Sequence, residues 1–173
     1  FNKMIKNKIF FFTILIFLTQ CGYQTIYSNK NLNFSVTEIK ILNDQNIGRQ
    51  IKNRLDALNN NKNADNFNLQ IDSKFEKTTA SKDKQGNPNI FNLIVYVKVN
   101  ITSGSGIEQN KVFSEAINYN NSENKFNLKR YEDSLKENLT EKIIENLLLY
   151  LQSISLKKSN ASLQGNIGYT VKK

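Results

Sequence analysis

Histidine and tryptophan are absent from these 173 residues, and cysteine and proline each occur once. Without histidine there is no Ser-His-Asp triad, no Cys-His pair and no zinc site of the usual Cys/His kind, and a single thiol cannot close an internal disulfide. Carboxylate or Ser/Lys chemistry is the catalytic repertoire that remains, and no spacing of paired acids supports it. The chain therefore reads as non-enzymatic, with no cofactor and no metal. Long apolar runs are also missing. The one hydrophobic stretch, Ile9 to Leu18, is interrupted by Thr13. At about 1.5 Å per helical residue it falls short of a hydrocarbon core about 30 Å thick. Gly-rich phosphate loops and aromatic RNA-binding motifs do not occur.

What is present begins with an uneven distribution of charge. Basic residues outnumber acidic ones by 24 to 15, and no acid precedes Cys21. Setting aside Lys3, Lys6 and Lys8 leaves 21 basic residues against 15 acidic ones, a surplus of six. Such a surplus suits an anionic membrane surface or an anionic ligand, and nucleic acid is set aside for want of a motif.

Taking Met4 as the start, Met4-Ile5-Lys6-Asn7-Lys8 is a short positive region ahead of the apolar stretch, the composition of an export signal. Residues 1–20 are read as that signal. Leu18-Thr19-Gln20-Cys21, followed by Gly22, resembles a bacterial lipobox, with Gln20 standing where Gly, Ala or Ser is usual. The pattern implies cleavage before Cys21, a diacylglyceryl thioether on its sulfur and a further acyl chain, such as palmitate, on its amine. At about 0.8 kcal/mol per buried CH₂, three chains make a permanent anchor. Residues 21–33 are then a lipidated tether.

Residues 34–156 are expected to form one α+β domain. Ser35 to Leu42 is a first strand, and Asn43 to Asn46 supplies turn and helix-cap residues. Ile47, Ile51, Leu55 and Leu58 recur at helical spacing, so one helix face is apolar. Phe67, Leu69, Ile71 and Phe75 alternate with polar residues, as do Phe91, Leu93, Val95, Val97, Val99 and Ile101. Lys82 to Asn89 makes a hairpin connection between these two sets, and Ser103-Gly104-Ser105-Gly106 a second turn. Lys111 to Asn120 is a further strand whose inward face the pattern leaves open. A long helix follows, with Leu128, Tyr131, Leu135, Leu139, Ile143, Leu147 and Tyr150/Leu151 on its apolar stripe. The order β-α-β-β-β-α predicts a two-layer sandwich, a mainly antiparallel four-stranded sheet with two helices on one face. Residues 157–173 show no sustained period and are expected to be a disordered tail.

Together these pieces resemble the LPS-assembly lipoprotein family of Gram-negative bacteria, LptE. The matching residues are Cys21-Gly22-Tyr23, Ile47 to Leu55 on the first helix, Thr79-Ala80-Ser81 leading to Lys84-Gln85-Gly86 in the hairpin, and Lys111-Val112-Phe113. The resemblance implies an outer-membrane lipoprotein on the periplasmic face, seated in or against an LptD-like β-barrel. Such a protein helps that barrel assemble and binds LPS during insertion into the outer leaflet. It also implies LPS contact at Lys84, placed through Gly86, and at Lys125, which stands near its counterpart at the start of the last helix. Lys82 is a neighbouring candidate. Lysines at a hairpin tip can meet lipid A phosphates without burying an unpaired charge, as point charges and not as forks. They can equally serve only to keep the hairpin soluble, balanced by Asp83. The alternative function is a barrel-independent periplasmic lipid-binding or transport-auxiliary lipoprotein.

Overall fold

The structure, a computed structural model, describes residues 32–58, 65–104 and 106–167, with side chains through 157. Strand β1 runs Phe34–Asn43 and leads into helix α1, Gln45–Leu58. Three strands follow, β2 over Asp65–Lys82, β3 over Pro88–Ser103 and β4 over Glu108–Asn120. Helix α2 then takes Lys125–Ile167. The sheet order is β1-β2-β3-β4; β1 lies parallel to β2 and the other neighbours are antiparallel. The predicted two-layer α+β architecture is what forms.

Alternation decides which face the helices cover. Leu93, Val95, Val97, Val99 and Ile101 on β3 are at most 2% exposed, and Phe67, Leu69 and Ile71 on β2 share that face. From α2, Leu139, Ile143, Leu147 and Leu151 close the core, and Ile144 and Leu148 widen the stripe. From α1, Ile47, Ile51 and Leu55 do the same. Asp44 caps α1, its Oδ1 accepting from Asn46 N at 2.9 Å and Ile47 N at 3.1 Å. These bonds satisfy amides that the helix cannot satisfy itself. Gly48 faces β1, and a Cβ there would overlap the Ile41 side chain, so the absence of a side chain sets how closely α1 packs.

Two features blur the sequence pattern. In β1 the register shifts between Val36 and Glu38, so Val36 and Ile39 are out of phase along the chain yet face partners properly across the sheet. In β4, Phe113 and Tyr119 are buried while Val112 is 60% exposed, which settles the inward face. Phe75, read as core, is 43% exposed because β2 has passed the main core there; the Lys136 ammonium covers its ring, 3.8 Å from the centroid. Tyr131 is 51% exposed but meets Tyr119 edge-on, with centroids 6.1 Å apart.

Helix α2 continues through Ile167, so residues 157–167 are helical where the pattern suggested a tail. No proline interrupts that stretch and its first glycine is Gly165, so nothing local stops the hydrogen-bond ladder although the apolar period fades. Residues 168–173 lie outside the described residues. Among the described residues no helix is long and apolar enough to cross a membrane.

Candidate functional site

The tip of the β2–β3 hairpin is organised by Asp83. Asp83 N donates to Asn87 O at 2.9 Å, and Gly86 N donates to Asp83 O at 3.1 Å. Gly86 has φ of 88°, a conformation costly for a side-chain-bearing residue. The Asp83 carboxylate accepts from Gln85 N at 2.9 Å, Asn87 N at 2.8 Å and Asn87 Nδ2 at 3.2 Å. Chiefly through the Asn87 backbone bond, these donors hold its carboxyl below the usual carboxylate range. The acid is therefore committed to the loop's own amides. Lys82 and Lys84 are exposed on either side of it, and neither forms an ion pair among the described residues.

Lys125 reaches the same end by another route. Its Nζ donates to Asn121 Oδ1 at 3.0 Å and Ser122 O at 2.9 Å. Asn121 is in turn tied to the base of the hairpin, donating from its backbone N to Asn89 O and from Nδ2 to Pro88 O, each at 2.8 Å. Pro88 stands opposite Lys82 in the β2–β3 register. The structure thus brings all three candidate lysines to one end of the sheet. Lys125 binds only neutral oxygens, so its charge is not cancelled.

Two neighbours are not among the candidate residues: Phe126, which the sequence pattern passes over, and Arg130, which it reads as ordinary helix-surface pairing. Phe126 is 71% exposed, and Arg130 Cζ lies 5.9 Å from its ring centroid. The available signal was that Phe126 falls off the Leu128–Leu135–Leu139 stripe, leaving a large apolar ring on a polar helix start. The first turn of α2 has no acid, and Asn124 Oδ1 caps it by accepting from Asn127 N at 3.0 Å. A lysine at a helix N-terminus opposes the helix dipole by about 0.3–1 kcal/mol, a cost that an anion beside it offsets. Uncancelled cations with an exposed aromatic suit an amphiphile that carries phosphate.

A polar network supports this end from below. Lys77 Nζ, at 2.5 Å, and Tyr119 Oη, at 2.7 Å, both donate to Glu132 Oε1, so β2, β4 and α2 meet on one oxygen. Lys77 Nζ also lies 4.0 Å from the Phe91 ring centroid. Burial pushes the Glu132 carboxyl up, but the hydrogen bonds from Lys77 and Tyr119, with the charges of Lys77 and Lys129, outweigh it and the net shift is downward. Burial, with the Glu132 carboxylate, pushes the Tyr119 hydroxyl up, so it stays a neutral donor. Two further cations on this part of α2 are paired, Lys129 to Asp133 at 2.5 Å and Lys136 to Asp133 at 3.9 Å, while Arg130 meets the Phe126 ring and no carboxylate among the described residues. On the other helix, Arg54 lies 3.4 Å from Glu141, an ion pair without hydrogen-bond geometry.

Two surface depressions among the described residues lie away from Lys82, Lys84 and Lys125. One, of about 330 Å³, is on the helix-free face between Lys40, Gln70, Asn100 and Asn110. The other, of about 350 Å³, lies between the β3–β4 turn and α2. Cys21, the candidate lipid anchor, lies outside the described residues, as do residues 22–31 of the tether.

No family model matches the chain, and no curated protein sequence matches it. Solved structures do share its fold. The crystal structure of rare lipoprotein B from Shewanella oneidensis aligns with a TM-score of 0.56 at 17% identity, over 73% of this chain and 99% of that one. The solution structure of an uncharacterized lipoprotein B from Nitrosomonas europaea gives 0.52 at 14%, over 76% and 90%. A minor lipoprotein from Acinetobacter baumannii gives 0.51 at 13%, over 69% and 91%. At these identities the likeness is one of fold.

Proposed function

We propose that this protein is an outer-membrane lipoprotein, anchored through Cys21 on the periplasmic face, that supports an LPS-translocating β-barrel of the LptD kind. In this role it contacts LPS phosphates through Lys84, Lys82 and Lys125. The observation that carries the proposal is the convergence of these three lysines, none matched by a carboxylate, at one end of the sheet. The lipobox and the fold shared with proteins named as lipoproteins support the anchored part of the reading.

The role has no turnover. The lysines act as point charges on phosphate, each worth about 1 kcal/mol at 4 Å in a watery setting. The Asp83 turn fixes the backbone that carries Lys82 and Lys84, and the Asn121 bridge holds the Lys125 ammonium, which lowers part of the ordering cost of binding. The test is an affinity pull-down of the full-length, lipidated protein from detergent-solubilised membranes, with mass spectrometry after a high-salt wash. A stoichiometric large β-barrel is expected. No barrel, despite confirmed acylation of Cys21, would overturn the assembly role and leave the barrel-independent lipid-binding alternative.

A further inference from the structure

The end of the sheet opposite the hairpin has its own chemistry. There the β3–β4 turn is closed by Ser103 N donating to Ile107 O at 2.9 Å and by Gly106 N donating to Ser103 O at 2.8 Å. Ile107 leaves this Gly/Ser turn 58% exposed, a large β-branched side chain where turn chemistry asks for a polar one. It borders the depression of about 350 Å³, whose lining includes Phe67, Ile101, Tyr150, Ile154 and Lys157. That volume is at the small end of the range for ligand sites, roughly 300–1,000 Å³. Lys157 is exposed and has no ion pair among the described residues.

The chain enters the domain at this same end. Ser155 Oγ donates to Asn33 O at 2.9 Å, fixing the segment just before β1 against the stretch of α2 that lines the groove. Residues 22–31 separate Leu32 from Cys21, and even fully extended they reach only about 40 Å. With Cys21 in the lipid, this end stays close to the membrane. Strand β2 has 18 residues, so at roughly 3.3 Å each the hairpin lysines lie more than 50 Å away along the sheet.

We propose that this groove takes one acyl chain of an anionic phospholipid from the membrane to which the protein is anchored, with Lys157 at the lipid phosphate. The inference rests on anchoring at Cys21. It is separate from LPS contact at Lys84, because the distance along β2 is too great for one lipid to span. The occupant is argued from where the tether enters, from the apolar lining and from the unpaired cation beside it. The groove seats the domain and sets which end points away from the bilayer.

The test uses the full-length lipidated protein in phosphatidylcholine vesicles containing phosphatidylglycerol with a mid-chain diazirine. Flotation reports anchoring, and peptide mapping after photolysis reports the groove. In floated protein, cross-links are expected within residues 101–109 and 150–157. They should fall at least about fivefold in Lys157→Glu, the size of one lost charge contact, and similarly in Ser153→Phe, which fills the groove from an exposed helix position. Cross-links confined to other segments, or unchanged in both variants, would overturn the proposal while leaving anchoring intact. Protein that fails to float overturns the anchoring and this seating with it.

Discussion

The two ends of the sheet are held together by different physics. Toward β1 and α1 the strands are covered by aliphatic side chains such as Ile51, Ile71, Val97 and Leu147, all fully buried. Toward the hairpin, β2 is exposed from Lys74 to Ala80, and beside a thinner apolar contact of Leu93, Leu128 and Leu135, α2 is fixed to the sheet through Lys77, Glu132, Tyr119 and an edge-on aromatic contact. Burial is non-directional and tolerates any pH, whereas a shared carboxylate oxygen is directional and depends on its charge. The apolar end therefore buries more of the core, and the polar end depends on the charge of Glu132.

The largest expected effect comes from breaking the apolar end. Leu147 is fully buried, and Leu147→Ala should cost about 2–5 kcal/mol of global stability. Denaturant unfolding should show it as a lower midpoint; an unchanged midpoint would mean that α2 does not pack on the sheet as described. Gly48→Ala comes next, because the new methyl group meets Ile41. Overpacking of this kind costs about 1–3 kcal/mol. A stabilised Gly48→Ala protein, the usual result in an uncrowded helix, would count against the close approach of α1 to β1.

Glu132→Gln sharpens the comparison. Loss of the charge shared by Lys77 and Tyr119 should cost about 1–3 kcal/mol, and the loss should appear locally. Hydrogen exchange should accelerate at the start of α2 and the end of β4 while Val97 and Ile71 remain protected. Uniform acceleration would show that the two ends unfold as one unit.

The same group gives the hairpin end a pH dependence. The Glu132 carboxyl titrates lower in the folded protein than its ordinary value of 4.5. Its contribution is therefore complete above pH 4.5 and is lost as the pH falls through the lower folded value. Asp83 acts in the same direction at the tip. Acidification should loosen the hairpin end first, as read by exchange or by the fluorescence of its tyrosines. Prior loss of the apolar end would reverse the assignment. The smallest effect on stability is expected for Lys84→Asp, within about 0.5 kcal/mol because the side chain is exposed.

The apolar end was legible in the sequence because its information is periodic. Phe67 to Ile71 and Leu93 to Ile101 state their own face, and Asp44 states where α1 begins. The register shift in β1 and the adjacent Val112 and Phe113 hid their phase, since only the partner strand reveals which residue is turned out. The hairpin end was legible in part. The motif ending at Gly86 puts Lys84 at the hairpin tip, but the commitment of Asp83 to the loop's own amides is visible only in the structure. The Lys77–Glu132–Tyr119 junction joins three elements far apart along the chain and has no local signature. Phe126 carries only a weak signal, because an apolar residue beside a helical stripe reads as its margin.

The most direct test of the central claim is LPS titration of full-length protein in detergent across a range of salt, comparing the parent with the combined Lys82→Asp, Lys84→Asp and Lys125→Asp variant. The account predicts at least tenfold weaker binding, about 1.4 kcal/mol or more at roughly 1 kcal/mol per cation, with a flatter salt dependence and a cooperative unfolding transition retained. Equal affinity and equal salt dependence in a folded variant would contradict it.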